Sequence, residues 1–81
     1  MSSTVFREVE ELILNRRRIL NLLKKFEEKY GLPSEEFYDK WVKGLIPEPD
    51  DPDKHSDFQL WYGLIEKLKE IDKKLSTYLR G

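Results

Sequence analysis

The chain has 81 residues, no cysteine and a formal net charge of −1. A domain of this size buries only about 60% of its unfolded surface, so its core is thin, and without thiols it can build neither a disulfide framework nor a thiolate metal site. Charged residues make up 38% of the sequence and almost cancel, which argues against the uniform basic field of a protein that lives on nucleic acid or anionic lipid.

No apolar run approaches the roughly 20 residues of a membrane span, because Leu12-Ile13-Leu14 is halted by Asn15 and three arginines. Met1-Ser2-Ser3-Thr4 is no signal peptide, so a cytoplasmic protein is expected, one with no membrane partner. Two Asn, one Gln and one Met stand beside abundant Glu and Lys, a bias that resembles proteins from hot-growing organisms. Charge is unevenly spread. Residues 1–30 carry seven Lys/Arg against five Asp/Glu, residues 31–57 three against eight, and residues 58–81 five against three.

The first helix is expected from about Thr4 to Tyr30. Its 3-4 spaced positions 5, 9, 12, 16, 19, 23, 26 and 30 read Val, Val, Leu, Arg, Ile, Leu, Phe, Tyr, an apolar seam broken only by Arg16. A parallel row, Phe6, Ile13 and Leu20, widens that face, so it should bury against more than one neighbouring element. Ser3 or Thr4 can cap the start; Glu8, Glu10 and Glu11 suit the positive end, and Lys24, Lys25 and Lys29 the negative end.

Gly31 can take the left-handed conformation that closes a helix, Pro33 cannot continue it, and Ser34 can accept a hydrogen bond from a free amide of the next first turn. A short second helix, about Glu35 to Lys43, then pairs Phe37 with Trp41 and Tyr38 with Val42 at i, i+4, and Gly44 is placed to end it. Gly44 to His55 is acidic and holds three prolines, which favours a stiff, extended connector, with Leu45 and Ile46 tucked into the core. The third helix is expected from about Asp57 to Leu79, opened by Ser56 and Gln59 at capping-box spacing and closed before Gly81. It carries Phe58, Trp61, Leu64, Ile65, Leu68, Ile71, Leu75, Tyr78 and Leu79 on one face, which Asp72 interrupts.

The fold expected is therefore all-α: a single three-helix domain, long, short and long, with an acidic proline-rich connector between helices 2 and 3. The connector permits either a parallel or an antiparallel return.

No spacing in this chain spells catalysis or metal binding. Asp50, Asp51, Asp53, His55 and Asp57 lack the mid-loop glycine and closing glutamate of a calcium loop, and one His without Cys is no zinc site. No Ser-His-Asp set assembles around His55. Small helical mutases share the long-short-long outline, but they line a pocket with several inward charges where this chain offers only Arg16 and Asp72. No enzyme activity, no metal and no cofactor are expected. Arg16 and Asp72 are read as a buried polar pair that sets register.

Contact with nucleic acid would fall to Arg17, Arg18, Lys24 and Lys25 on the outer side of helix 1, but no aromatic is interleaved there for base stacking. A helix-turn-helix reading fails because the second helix opens with Glu35, Glu36 and Asp39, which phosphates repel. Phe37, Tyr38, Trp41, Phe58, Trp61 and Tyr62 are the candidates for contact with a protein partner. Tyr62, Leu14 and Phe6 lie off the main apolar faces and could form a surface that waits for one. A homodimer is also expected if Val5, Phe6, Val9, Leu12 and Ile13 outrun the cover that one subunit provides.

Lys29-Tyr30-Gly31-Leu32-Pro33-Ser34-Glu35-Glu36-Phe37-Tyr38-Asp39-Lys40-Trp41, an acidic gap, and then Asp57-Phe58 with Trp61-Tyr62-Gly63-Leu64-Ile65 resemble a group of small antitoxin-like proteins of archaea and cyanobacteria. Many of these are encoded beside a small toxin, and several have no assigned activity. The resemblance covers about Lys25 to Leu79. It implies a non-enzymatic protein that binds and restrains a toxin-like partner, such as a ribonuclease or nucleotidyltransferase-like toxin, with Phe37, Trp41, Phe58 and Trp61 as the motif positions. Unlike many antitoxins, this chain shows no disordered tail or separate DNA-binding domain. The alternatives are a structural or homo-oligomeric helical protein, and a weak nucleic-acid binder acting through the basic side of helix 1.

Overall fold

The computed structural model describes residues 2–79, which form three helices, α1 (Ser2–Tyr30), α2 (Ser34–Val42) and α3 (Pro52–Leu79). The all-α, long-short-long order is the one expected from the sequence. Ion pairs and hydrogen bonds fix how the long helices run. Arg16 Nε meets Asp72 Oδ1 at 2.6 Å, Lys29 Nζ meets Asp57 Oδ2 at 2.7 Å, and the Tyr78 hydroxyl donates to Glu8. Early residues of α1 thus pair with late residues of α3, and the two form an antiparallel hairpin within a body of 51 × 21 × 18 Å.

Gly31 closes α1 with φ +64°, its amide and that of Leu32 both donating to the Glu27 carbonyl. At the end of α2, Gly44 sits at φ +70° while its amide donates to the Trp41 carbonyl and the Leu45 amide to the Lys40 carbonyl. These are the bonds of a Schellman closure, and glycine adopts the left-handed region they require without steric cost.

Several helix starts differ from expectation. Thr4 lies inside α1 and does not cap it; the side chain of Ser3 and the residue Gly81 lie outside the described residues. Ser34 is the first residue of α2 rather than its cap, because Pro33 holds the extended cap conformation and its carbonyl accepts the Phe37 amide. Helix α3 begins at Pro52, five residues before Asp57. Asp51 caps it, its side chain accepting the Asp53 amide at 3.1 Å and its carbonyl the His55 amide at 3.0 Å. Proline suits the first helical position because its missing N–H would be unpaired there anyway. Ser56 is consequently an interior helix residue and no capping box forms.

The core lies at the α2 end of the hairpin. Ile19 and Leu23 of α1, Phe37 of α2, and Phe58, Trp61, Ile65 and Ile71 of α3 are its buried members, and Trp61 and Phe37 are fully shielded from solvent. Their rings stack at 4.0 Å between centroids and 3° between planes, and the Phe26 and Tyr30 rings lie near-parallel to the indole at 5.6 and 5.8 Å. Ile46 packs against this cluster, whereas Leu45, expected inside, is exposed. Phe6, Ile13 and Leu20, expected to bury against further elements, are exposed too, because α2 is too short to reach them.

Candidate functional site

Helix α2 is keyed to both long helices at its first residue. The Ser34 amide donates to Glu27 Oε2 of α1 at 2.8 Å, while the Ser34 hydroxyl accepts the Trp61 indole N–H of α3 at 2.9 Å. A carboxylate at a helix start satisfies a free amide and meets the positive end of the helix dipole, so Glu27 does from another helix what a capping side chain would do locally. Among the described residues, no buried side-chain nitrogen or oxygen lacks a partner.

The six aromatic residues expected to meet a partner divide into two groups. Phe37, Phe58 and Trp61 are buried in the core and offer no surface. Tyr38, Trp41 and Tyr62 are half-buried and pack on one another: Tyr38 stacks on Tyr62 at 5.6 Å and Trp41 on Tyr62 at 6.1 Å. Both tyrosine hydroxyls donate to Glu66 Oε1, and Lys69 Nζ lies 3.7 Å from the centre of the Tyr38 ring. Bonding to the Glu66 carboxylate holds the Tyr62 hydroxyl above its ordinary pKa. Tyr62 therefore belongs to the seam that holds α2 down, and is not a free surface residue.

Arg16 and Asp72 do meet, but their side chains remain 42% and 47% exposed, so the pair is not buried. It lies where the groove between α1 and α3 has no third helix above it. Of the basic residues, Arg17 borders that groove beside Arg16, while Arg18 points about 100° further round the helix. Arg17, Arg18, Lys24 and Lys25 are all exposed, and as two adjacent pairs they are divided between two lines of α1. The connector acids also separate: Asp51 caps α3, and Asp57 accepts both Lys29 Nζ and the Tyr30 hydroxyl. Those two bonds hold the Asp57 carboxyl below its ordinary value, with Lys29 the larger cause. No three His, Asp or Glu side chains among the described residues converge to hold a metal ion.

An open concave feature is the unfilled stretch of that groove. On α3 the row Phe58, Tyr62, Ile65 and Lys69 lies under α2, and at the same 3-4 spacing it continues as Asp72, Ser76 and Leu79. The continuation, with Leu75, forms one wall of a groove of about 660 Å³ whose other wall is Ile13, Arg16 and Leu20 of α1. Phe6, one heptad before Ile13, extends the α1 row. It is 68% exposed, and Leu79 opposite is 81% exposed. Sequence reading expected the row 6, 13, 20 to bury against neighbouring elements and also named Phe6 and Ile13 among residues for a partner or second subunit to cover, but nothing in the pattern showed that α2 would stop short of the row.

Comparison of the chain with protein-family models, with curated proteins and with solved structures finds no match. No helix among the described residues is long and apolar enough to cross a membrane.

Proposed function

We propose that this chain is a helical protein-association module, with no chemistry of its own, whose contact surface is the open stretch of the α1–α3 groove. One observation carries the reading: α2 fills only one end of the groove, and the uncovered end leaves Ile13 and Leu20 on its α1 wall, Leu79 on its α3 wall and Phe6 one heptad before Ile13 exposed, with Glu10 and Arg17 interleaved along α1. Such a patch beside polar residues marks a surface that is covered in use. A helix laid into the groove would extend the packing that α2 begins, burying apolar area at about 25 cal/mol per Å².

The test is a tagged chain produced in its own cells and fractionated by size beside the variant Ile13→Arg. Ile13 is exposed, so the substitution leaves the core intact, and circular dichroism checks that. Wild-type protein is expected in a complex larger than one chain and the variant is not; wild-type protein that travels as a single chain overturns the reading.

A toxin-like protein in the same groove is the more specific form of this proposal, and the turn and helix-start motifs support it. Of the motif positions, Phe37, Phe58 and Trp61 are core and Trp41 lies in the α2 seam, so the motif speaks more strongly for shared architecture than for a shared partner. Isolation of a toxin-like protein whose binding Ile13→Arg abolishes would establish it.

A further inference from the structure

We infer that the occupant of the open groove is a second copy of this chain, laid antiparallel on the first about a two-fold axis near Ile13. The inference rests on the association reading above and names its partner.

The first argument is charge. Of the charges on α1, the acid that shares the groove-side row lies before Ile13 (Glu10) and the bases that border the groove lie after it (Arg16 and Arg17), while Glu8 and Glu11 line a separate depression beside Tyr78. A helix polarised in this way complements itself when reversed, and like charges meet if it is laid parallel.

The second argument is register. Phe6, Glu10, Ile13, Arg17 and Leu20 follow one another at alternating spacings of four and three, so they share one side of α1. Phe6 lies seven residues before Ile13 and Leu20 seven after, each about 10 Å from the axis at 1.5 Å per residue. Across a two-fold axis at Ile13, Phe6 of each copy falls opposite Leu20 of the other, Glu10 falls opposite Arg17 within one residue, and Ile13 meets itself.

The third argument is space. Helix α2 fills the groove beyond Leu20, so the open stretch runs from about Phe6 to Leu20 and its midpoint is Ile13. An axis there lays open stretch on open stretch and keeps the α2-filled stretches apart. Asp72 already pairs with Arg16 across the groove, so covering the pair strands no charge. The matched area is about 21 Å long and about 20 Å wide, two helix diameters. At roughly 420 Å² per copy, about 840 Å² in all, this is smaller than stable specific interfaces, so the dimer expected is a weak, transient one.

Sedimentation equilibrium at low ionic strength tests this. Wild-type protein is expected to dimerise weakly, below about 1 mM, and Ile13→Arg is expected to be monomeric with unchanged helicity. Glu10→Lys and Arg17→Glu alone should each weaken the dimer about tenfold, since the two-fold axis repeats every contact. The double variant Glu10→Lys/Arg17→Glu should return to within about threefold of wild type. A double variant as weak as the single variants overturns the antiparallel register, and wild-type protein monomeric at about 1 mM overturns self-pairing. If purified wild-type protein is monomeric yet Ile13→Arg still removes it from a larger complex in its own cells, self-pairing fails and the association reading stands. Monomers in both settings overturn both.

Discussion

The Trp61 indole N–H donates to the Ser34 hydroxyl at 2.9 Å, and both residues are buried. The same serine gives its amide to Glu27, so one small residue at the start of α2 joins all three helices. Helix α2 is only nine residues long, too short to be stable alone. Its place rests on this junction and on the stack of Phe37 against Trp61.

Ser34→Ala removes the acceptor and leaves the indole N–H buried and unpaired. The cost expected is about 1–3 kcal/mol of unfolding free energy, read from urea denaturation. Adding Trp61→Phe should cost less in the Ser34→Ala background than in the wild type, because no donor is then left stranded. Strict additivity of the two losses would show that the bond contributes nothing.

Glu27→Ala tests the cap supplied from α1. A loss of about 0.5–2 kcal/mol is expected, together with faster amide hydrogen exchange in the first turn of α2 and little change in the middle of α3. Equal acceleration throughout the chain would mean that Glu27 supports the whole fold and not the start of α2.

The start of α3 separates two caps. Asp51→Ala should lose about 0.5–2 kcal/mol, whereas Ser56→Ala, at an interior helix position, should be neutral or slightly stabilising since alanine is the better helix former. The reverse order of effects would place the helix start at Ser56.

These contrasts show which features the sequence exposed. Helix faces came from spacing, and Gly31 and Gly44 took the left-handed closures that their positions called for. Ser56 with Gln59 had the spacing of a capping box, but Asp51-Pro52-Asp53 offered a stronger start earlier, and a proline-rich segment read as extended hid it. Glu27 as the cap of α2 was not legible, because a cap from another helix has no local spacing. The apolar row 6, 13, 20 was visible, yet its exposure depends on the length of α2 relative to the hairpin, a tertiary property. The pairing of Arg16 with Asp72 was legible from two interrupted faces, while its exposure was not, for the same reason.

Arg16→Leu follows from that exposure. A half-exposed ion pair contributes about 0–1 kcal/mol, and leucine adds apolar surface to the groove. Monomer stability should stay within about 1 kcal/mol of wild type, by thermal and urea unfolding. A much larger loss would mean that the pair is structurally required.

The last prediction concerns pH. Bonds from Lys29 and Tyr30 hold the Asp57 carboxyl below its ordinary value, so its contribution is present above the unfolded-state pKa, about 3.9, and is lost as pH falls through the lower folded-state value. Lys29 is raised, chiefly by its bond to Asp57, and Tyr30 is raised by burial and then by that carboxylate. Their contributions are present below their unfolded-state values, near 10, and are lost as pH rises through the folded ones. Asp57→Asn should therefore flatten the acid limb of the stability profile below about pH 4 and shrink the alkaline loss above about pH 10, because the carboxylate no longer raises Lys29 and Tyr30. Part of the alkaline loss should persist at its original position, because burial of Tyr30 does not depend on Asp57. Urea unfolding from pH 2 to pH 11 reads both limbs in one series, and an Asp57→Asn profile parallel to that of the wild type would show that this carboxylate does not link α1 to α3.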